Sequence, residues 1–184
     1  KLKEISDQKG ISVIASGAGQ GACVGRAHLL KTDGGTFSAN EILQEEIFGP
    51  ASIIVECKDS AEMLRTANSF KGNLTATLQA TSADLQNTKP LIRILERKVG
   101  RLIVNGFPTG LEVCYSMMHG GPFPATTDSR FTSVGTGAIK RFLRPVSFQN
   151  FPQDALVEEL KNENNMGVWR IWDGELSTGS IIDS

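Results

Sequence analysis

No apolar run in this chain approaches the roughly 18 residues that a membrane-spanning helix requires, so no such span is expected. Nor is there an excess of basic charge. Lys and Arg number 19 against 20 Asp and Glu, the net charge is −1, and no basic patch stands out as a surface for nucleic acid. Cysteine is scarce: Cys23, Cys57 and Cys114 are scattered and odd in number. That usage argues against a disulfide framework and for free thiols in a reducing, cytoplasmic setting. With two histidines and neither C-x-x-C nor H-x-x-x-H spacing, no metal site is expected. No N-terminal targeting signal and no internal repeat is visible in these residues.

What is present is enough apolar material, 40% of 184 residues, for one packed core with a tail. The opening KLKEISDQKG reads as the end of a helix closed by Gly10, and without Met it reads as the start of a fragment or processed chain. Strands are expected over 11–15 and 24–30, and a short helix over 40–46. From 52 onward the pattern is regular. Ser52 to Glu56 is a β-branched run with the look of a buried strand. Asp59 to Phe70 is a helix with Asp59 and Glu62 at capping-box spacing and Met63, Leu64, Ala67 and Phe70 on one face. A strand follows over 74–78. Residues 84–99 read as mostly helical, with Pro90 either kinking the helix or beginning its main part. Arg101 to Val104 is another strand.

The order β-α-β-α-β over 52–104 predicts an α/β fold with a parallel sheet. In such sheets ligands gather beyond the carboxyl ends of the strands. The loop that starts at Asn105 and runs through Gly106–Thr127 is one such end, and its length marks it as functional. Beyond it the pattern predicts a helix over 133–143 and a strand over 145–151 bearing Val146 and Phe148. A short helix over 155–160 and a strand over 168–172, turning at Asp173-Gly174, complete the tail.

Two motifs invite chemistry and each has a plainer reading. Gly17-Ala-Gly19-Gln-Gly21-Ala22 has the spacing of a dinucleotide fingerprint, which requires a helix start after the glycines to face a pyrophosphate. The residues that follow, CVGRAHLL, are spaced like a strand, and the alternative is a flexible hairpin loop. Cys23 and Cys114 each precede a histidine by five residues, His28 and His119. A Cys/His nucleophile needs spatial contact that sequence nearness does not supply, and free cysteine commonly serves as a small buried residue.

A third motif changes the weighting. LQEEIFGPASIIV resembles the E-E-x-F-G-P motif of the aldehyde dehydrogenase superfamily. The likeness continues in register through AEMLRTANSFKGNLTATLQ, through GRLIVNG at a strand end, and through MMHGGPFPAT, where that superfamily has a glycine-bearing loop. FLRPVSFQNFP is similar to the final strand that pairs with a neighbouring subunit. Within the superfamily, FPTGLEVCYSMMHGGPFPATTDSRFTSVG and the tail ELKNENNMGVWRIWDGELS most resemble the 2,5-dioxovalerate (α-ketoglutarate semialdehyde) dehydrogenases.

The resemblance implies residues 1–143 as the C-terminal part of a catalytic domain with a parallel βαβαβ sheet. It implies 144–152 as an oligomerisation strand and 153–184 as a tail. It implies oxidation of an aldehyde to an acid with NAD or NADP, in a homo-oligomer assembled through the C-terminal strand. By position, Glu46 would accept hydrogen bonds from the nicotinamide ribose and Phe48 would limit where the nicotinamide sits. Phe123 would line the aldehyde entrance, with Asn105 and Phe107 near the same strand end. The plainer reading of each phenylalanine is core packing. The superfamily's nucleophile, general-base glutamate, oxyanion-hole asparagine and nucleotide-binding domain all precede the matching segment. Cys23 sits in a GQ-x-C-like phrase, GQGAC, but far too close to Glu46 to be the superfamily's nucleophile. No catalytic residue is therefore assigned, and the chain alone is expected to be inactive. Two rivals stay open: a non-catalytic oligomerisation or scaffold module on the same fold, and an enzyme for a longer, fatty aldehyde.

Overall fold

A short amphipathic turn begins the structure. Helix α1 (Leu2–Ser6) buries Ile5 completely, and the chain then reverses at Gly10, whose φ is 85°. Strand β1 (Ser12–Ser16) runs antiparallel to β2 (His28–Asp33). The computed structural model describes residues 1–19, 21 and 24–181, so Gln20, Ala22 and Cys23 of the glycine-bearing loop lie outside the described residues. That loop joins two antiparallel strands and leads into β2 rather than into a helix, so the hairpin reading holds and the phosphate-loop reading lacks its helix.

Helix α2 (Gly34–Ala39) was not expected, because it opens with two glycines. Its start is fixed by a cap: Asp33 accepts from Thr36 N at 2.8 Å and from Thr36 Oγ1 at 2.7 Å. A 3-10 turn over Glu41–Gln44, capped by Asn40, replaces the helix expected over 40–46. Strand β3 (Ala51–Glu56) lies parallel to β2. Helix α3 (Ser60–Ser69) begins where its cap spacing predicts: Asp59 Oδ1 accepts from Glu62 N, and Glu62 Oε2 accepts from Lys58 N, each at 2.7 Å. Strand β4 (Asn73–Leu78) follows. The helix expected over 84–99 is two, α4 (Ser82–Asn87) and α5 (Lys89–Leu95), with Pro90 in the first turn of α5. Strand β5 (Val99–Val104) pairs parallel with β4.

The strand–helix alternation is as expected, but the sheet is not continuous. β3 closes a three-stranded sheet in the order β1-β2-β3, while β4 and β5 form a separate two-stranded sheet. The described residues supply each half with its own apolar cluster. Ile5, Leu30, Phe37 and Leu43 form the first, and Ala67, Leu91, Ile94 and Leu95 the second. β3 is correspondingly an edge strand, half-buried on one face with Ile54 outward, rather than buried on both. Phe70, at the end of α3, packs against both clusters and meets Phe37 edge-on at 5.9 Å.

The chain divides into two compact units, Lys1–Phe142 and Leu143–Ser184. In the first, the helix expected over 133–143 is a 3-10 turn at Thr136–Phe142 with no buried residue. Its apolar spacing has no surface to pack on, and a short helix without tertiary packing is marginal. In the second, residues 145–151 pair with no strand among the described residues, and Val146, Phe148 and Phe151 are exposed. A strand needs a neighbour for its main-chain groups, and the single chain offers none there. The expected helix over 155–160 is two 3-10 turns, Gln153–Ala155 and Glu158–Leu160. Strands β6 (Arg170–Trp172) and β7 (Glu175–Ser177) form a hairpin about Asp173 and Gly174, whose φ values of 50° and 89° suit a type I′ turn. No apolar side chain of this unit is buried among the described residues; buried Asn164 is its hub. Its amide donates to the carbonyls of Val168 and Thr178 and accepts from Val168 N.

Because Phe70 serves both clusters, Phe70→Ala should lower stability by about 3 kcal/mol, the low end for a large aromatic since it is only partly buried. Asp59→Ala, which removes one cap, should cost about 1 kcal/mol. Urea unfolding of both variants checks the order; an effect of Phe70→Ala no larger than that of the cap would refute the shared role.

Candidate functional site

The Gly106–Thr127 loop is long but tethered at both ends of the β4–β5 ladder. At the carboxyl end, Asn105 adopts a φ of 52°, tolerable because its side chain bonds locally. Its Oδ1 accepts from Ala80 N and its Nδ2 donates to Ala80 O, both at 2.8 Å. Arg101 of β5 then holds the loop from below, donating to the carbonyls of Pro108 at 2.6 Å and Gly110 at 3.0 Å. At the amino end, the His119–Ala125 stretch lies directly on the strand starts. A Cβ at Gly72 would collide with the Pro122 carbonyl, and one at Gly100 with the Gly120 carbonyl, so both positions require glycine for this approach.

The residues singled out in the sequence are therefore divided. Asn105 and Phe107 sit at the carboxyl end of the ladder, while Phe123 belongs to the loop at the amino end. The two ends are separated by the length of β4, about 17 Å. Glu46 lies on the Phe123 side. It lines a cleft of about 640 Å³ together with Gln44, Lys71 and Asn73, and with Pro124 and Ala125 across the opening. The Phe123–Pro124 bond that introduces this wall is cis. Nothing local in the sequence marks Gln44 or Lys71. They enter only because the end of α3 folds back on the 3-10 turn, where Lys71 N donates to Gln44 Oε1 at 3.3 Å and Lys71 Nζ meets Glu41 Oε2 at 2.9 Å.

Two adjacent glutamates differ sharply in the cleft. Glu45 is engaged by Lys1, whose hydrogen bond and charge hold its carboxyl below the usual range. Glu46 makes no hydrogen bond or ion pair among the described residues and is exposed. Phe48, two residues on, is 90% exposed, and Phe123 is 79% exposed. The arrangement thus presents one uncommitted carboxylate and two unpacked aromatic rings.

The described residues contain no nucleophile pair. Cys114 Sγ neighbours Ser116 Oγ at 3.3 Å, Cys57 Sγ neighbours Thr66 Oγ1 at 3.8 Å, and the His28 ring meets the Arg26 carbonyl. Among them there is also no group of three His, Cys, Asp or Glu placed to hold a metal, and no helix long and apolar enough to cross a membrane.

An α/β chain with parallel strand pairs and an E-E-x-F-G-P phrase beside a cleft matches a known pattern. Residues 34–123 match the model of the aldehyde dehydrogenase family. Two curated relatives carry the likeness along nearly its whole length. The chain is 45% identical over 173 residues to an alpha-ketoglutaric semialdehyde dehydrogenase 2 of Azospirillum brasilense, covering 94% of this chain and 33% of that protein. It is 47% identical over 178 residues to an alpha-ketoglutaric semialdehyde dehydrogenase of Acinetobacter baylyi, covering 96% of this chain and 34% of that protein. The chain therefore spans about a third of the length of these relatives. Crystal structures of betaine aldehyde dehydrogenase from Staphylococcus aureus share the fold. One with NAD+ bound gives a TM-score of 0.54 at 15% identity, covering 82% of this chain and 31% of its own. An apo form gives 0.52 at 15% identity, covering 77% and 27%.

Beyond the cleft wall, Arg130 grips Asp128 through its guanidinium and its main-chain N–H, and these bonds lower the Asp128 carboxyl from 3.8 to about 2. A depressed carboxylate pKa contributes stability that is present above the unfolded value and lost as pH falls through the folded one. An NMR titration of the Asp128 carboxyl should give a midpoint near 2, returning toward 3.8 in Arg130→Ala. An unchanged midpoint in that variant would contradict the pairing.

Proposed function

We propose that this chain is the C-terminal third of an NAD(P)-dependent aldehyde dehydrogenase that oxidises 2,5-dioxovalerate (α-ketoglutarate semialdehyde) to the dicarboxylic acid, in the cytoplasm and as a homo-oligomer. The observation that carries the reading is identity of 45–47% with relatives bearing that name, over 94–96% of the chain. The uncommitted carboxylate of Glu46 supports it, because it sits within the phrase that gives the family its likeness.

The residues present fit one side of a nicotinamide ribose. A carboxylate with both oxygens free can accept from two neighbouring hydroxyls. Glu46 meets that condition and Glu45, held by Lys1, does not. The exposed ring of Phe48 offers a flat apolar face close to it. A bound nicotinamide would supply the hydride acceptor for the oxidation. In this reading Glu46 orients the sugar, Phe48 limits the ring's position, and Phe123 forms an apolar wall at the aldehyde entrance. Asn105 holds the strand end from which Phe107 projects, and Phe107 is the second entrance residue. The nucleophile and the water-activating base come from outside the residues matched here, so the 184-residue chain alone is proposed to be inactive.

Assembly through residues 144–152 belongs to the same reading. Val146, Phe148 and Phe151 are exposed and their backbone has no ladder partner among the described residues, which is the condition of a strand that adds to another copy.

The test uses the protein encoded by the longest reading frame that contains these residues. It should form NAD(P)H with 2,5-dioxovalerate faster than with a long-chain fatty aldehyde. Glu46→Gln weakens charge-assisted bonds worth roughly 1.5–3 kcal/mol and should lower kcat/KM for the cofactor by about tenfold or more. Phe123→Ala and Phe107→Ala should raise KM for the aldehyde. Wild-type rates in Glu46→Gln, or a preference for the fatty aldehyde, would overturn the reading. The isolated chain should make no NAD(P)H and should self-associate in ultracentrifugation.

A further inference from the structure

The position of Phe107 is set by its backbone, because its exposed ring has little packing to hold it. Two residues before it, the Asn105 side chain bonds both main-chain groups of Ala80. One residue after it, the Pro108 carbonyl accepts from Arg101 Nη2 at 2.6 Å, and the Gly110 carbonyl accepts from Arg101 Nη1 at 3.0 Å. The Gly106 carbonyl accepts from Gln79 Nε2 in a longer bond of 3.4 Å. The chain is thus gripped on both sides of its aromatic residue. The grip after Phe107 comes from one side chain, which stands opposite Thr75 in the parallel ladder of β4 and β5.

A guanidinium suits such a clamp, because it is planar and holds its donors in a fixed fork. Here the fork reaches two carbonyls that flank Thr109, so it fixes the direction of the turn as well as its height. Its charge strengthens each bond relative to a neutral donor. None of the described ion pairs includes Arg101, and its Nε is buried with no partner among the described residues. A buried donor left unmade carries a cost, and the bonds to the loop carbonyls are what offset it. Nη1 also lies 3.8 Å from Met117 Sδ, so the same group meets the returning half of the loop.

We propose that Arg101 is a positioning residue for aldehyde specificity: its guanidinium clamps the turn at Pro108 and Gly110 and so holds Phe107 at the aldehyde entrance. The proposal rests on the reading of the protein as an aldehyde dehydrogenase with Phe107 at that entrance. Arg101 acts through the loop and touches no reacting atom. Releasing the turn lets Phe107 take several positions, and binding the aldehyde must then order it. That loss falls on aldehyde binding and leaves the later steps alone, so KM rises while kcat holds. The KM of the cofactor holds too, because Glu46 lies beside Phe123 at the other end of the ladder.

The test is steady-state kinetics on the protein from the longest reading frame containing these residues. Arg101→Met keeps most of the side chain's length and removes the fork. It should raise KM for 2,5-dioxovalerate by about tenfold, with kcat and the cofactor's KM within about twofold of wild type. Arg101→Lys keeps the charge but replaces the fork by one ammonium, and should recover only part of the loss. In a Phe107→Ala background, Arg101→Met should change KM by less than about twofold, because the ring it positions is gone. An unchanged KM in Arg101→Met would overturn the proposal. So would a tenfold rise that persists in the Phe107→Ala background, which marks a general structural role. Pentanal, a neutral aldehyde of the same chain length, should suffer the same loss. A loss confined to 2,5-dioxovalerate and fully restored by lysine would assign the effect to charge on the substrate's carboxylate and not to the clamp. Should Arg101→Met fail to fold, Arg101→Lys and its cycle with Phe107→Ala decide the question in the same way. A wild-type protein that oxidises no aldehyde sinks the functional reading, and the proposal with it, whereas an active wild type with any of the contrary outcomes sinks the clamp alone.

Discussion

The first unit hangs on one aromatic ring. Phe70 ends α3 and packs into both apolar clusters, edge-on to Phe37 in one and against the Leu91–Leu95 face of α5 in the other. Its carbonyl accepts from Lys98 Nζ at 2.6 Å, which ties the start of β5 to the same point. With no ladder between β3 and β4, this contact and the flanks of α3 are what hold the two sheets in register with each other. The cleft beside Glu46 inherits its shape from that joint. Lys71 and Gly72 follow Phe70 directly, and they place the start of β4 against the 3-10 turn on one side and the His119–Ala125 loop on the other.

The dependence explains why the site residues fall into two groups. The long loop leaves the carboxyl end of the β4–β5 ladder at Asn105 and comes back to the amino end at Gly120–Pro122. Its two aromatic residues, Phe107 and Phe123, consequently stand at opposite ends of the same ladder. Arg101 is the pivot of that excursion, since its guanidinium reaches the carbonyls of Pro108 and Gly110 from the middle of β5. A loop fixed at three places is a wall, not a flap, and Gly72, Gly100 and Gly121 let main chain lie on main chain where it meets the strand starts.

What was legible in the sequence is what short-range chemistry dictates. Asp59 and Glu62 mark the start of α3 because a cap acts within one turn. Asp173-Gly174 marks its hairpin because both residues accept positive φ. Pro90 resolves to the first turn of α5 because its missing N–H is harmless only there. The E-E-x-F-G-P phrase was legible for a different reason, as resemblance, and it led to Glu46 without any account of why Glu46 is free. Among the described residues Lys1, 44 residues upstream, engages Glu45, and Glu46 has no partner. The division of the sheet was equally out of reach. Periodicity reports which residues want burial, but not which strand lies beside which.

The misread segments share one physical cause. Residues 133–143 have helical spacing and 145–151 have strand spacing, yet the first forms only a 3-10 turn and the second pairs with no strand among the described residues. Pattern expresses a demand for a partner surface, and local structure forms fully only when that demand is met. The exposed Ile139, Phe142, Val146 and Phe148 are that demand left unmet among the described residues, as are the edges of β3 and β4 that meet no strand there. Glu46 and Phe48 belong to the same class, a carboxylate and a ring without partners among the described residues. The sites where pattern and structure disagree are thus the sites whose groups find no partner surface among the described residues. Where caps, turns and a self-contained apolar cluster satisfy the sequence locally, expectation and structure agree.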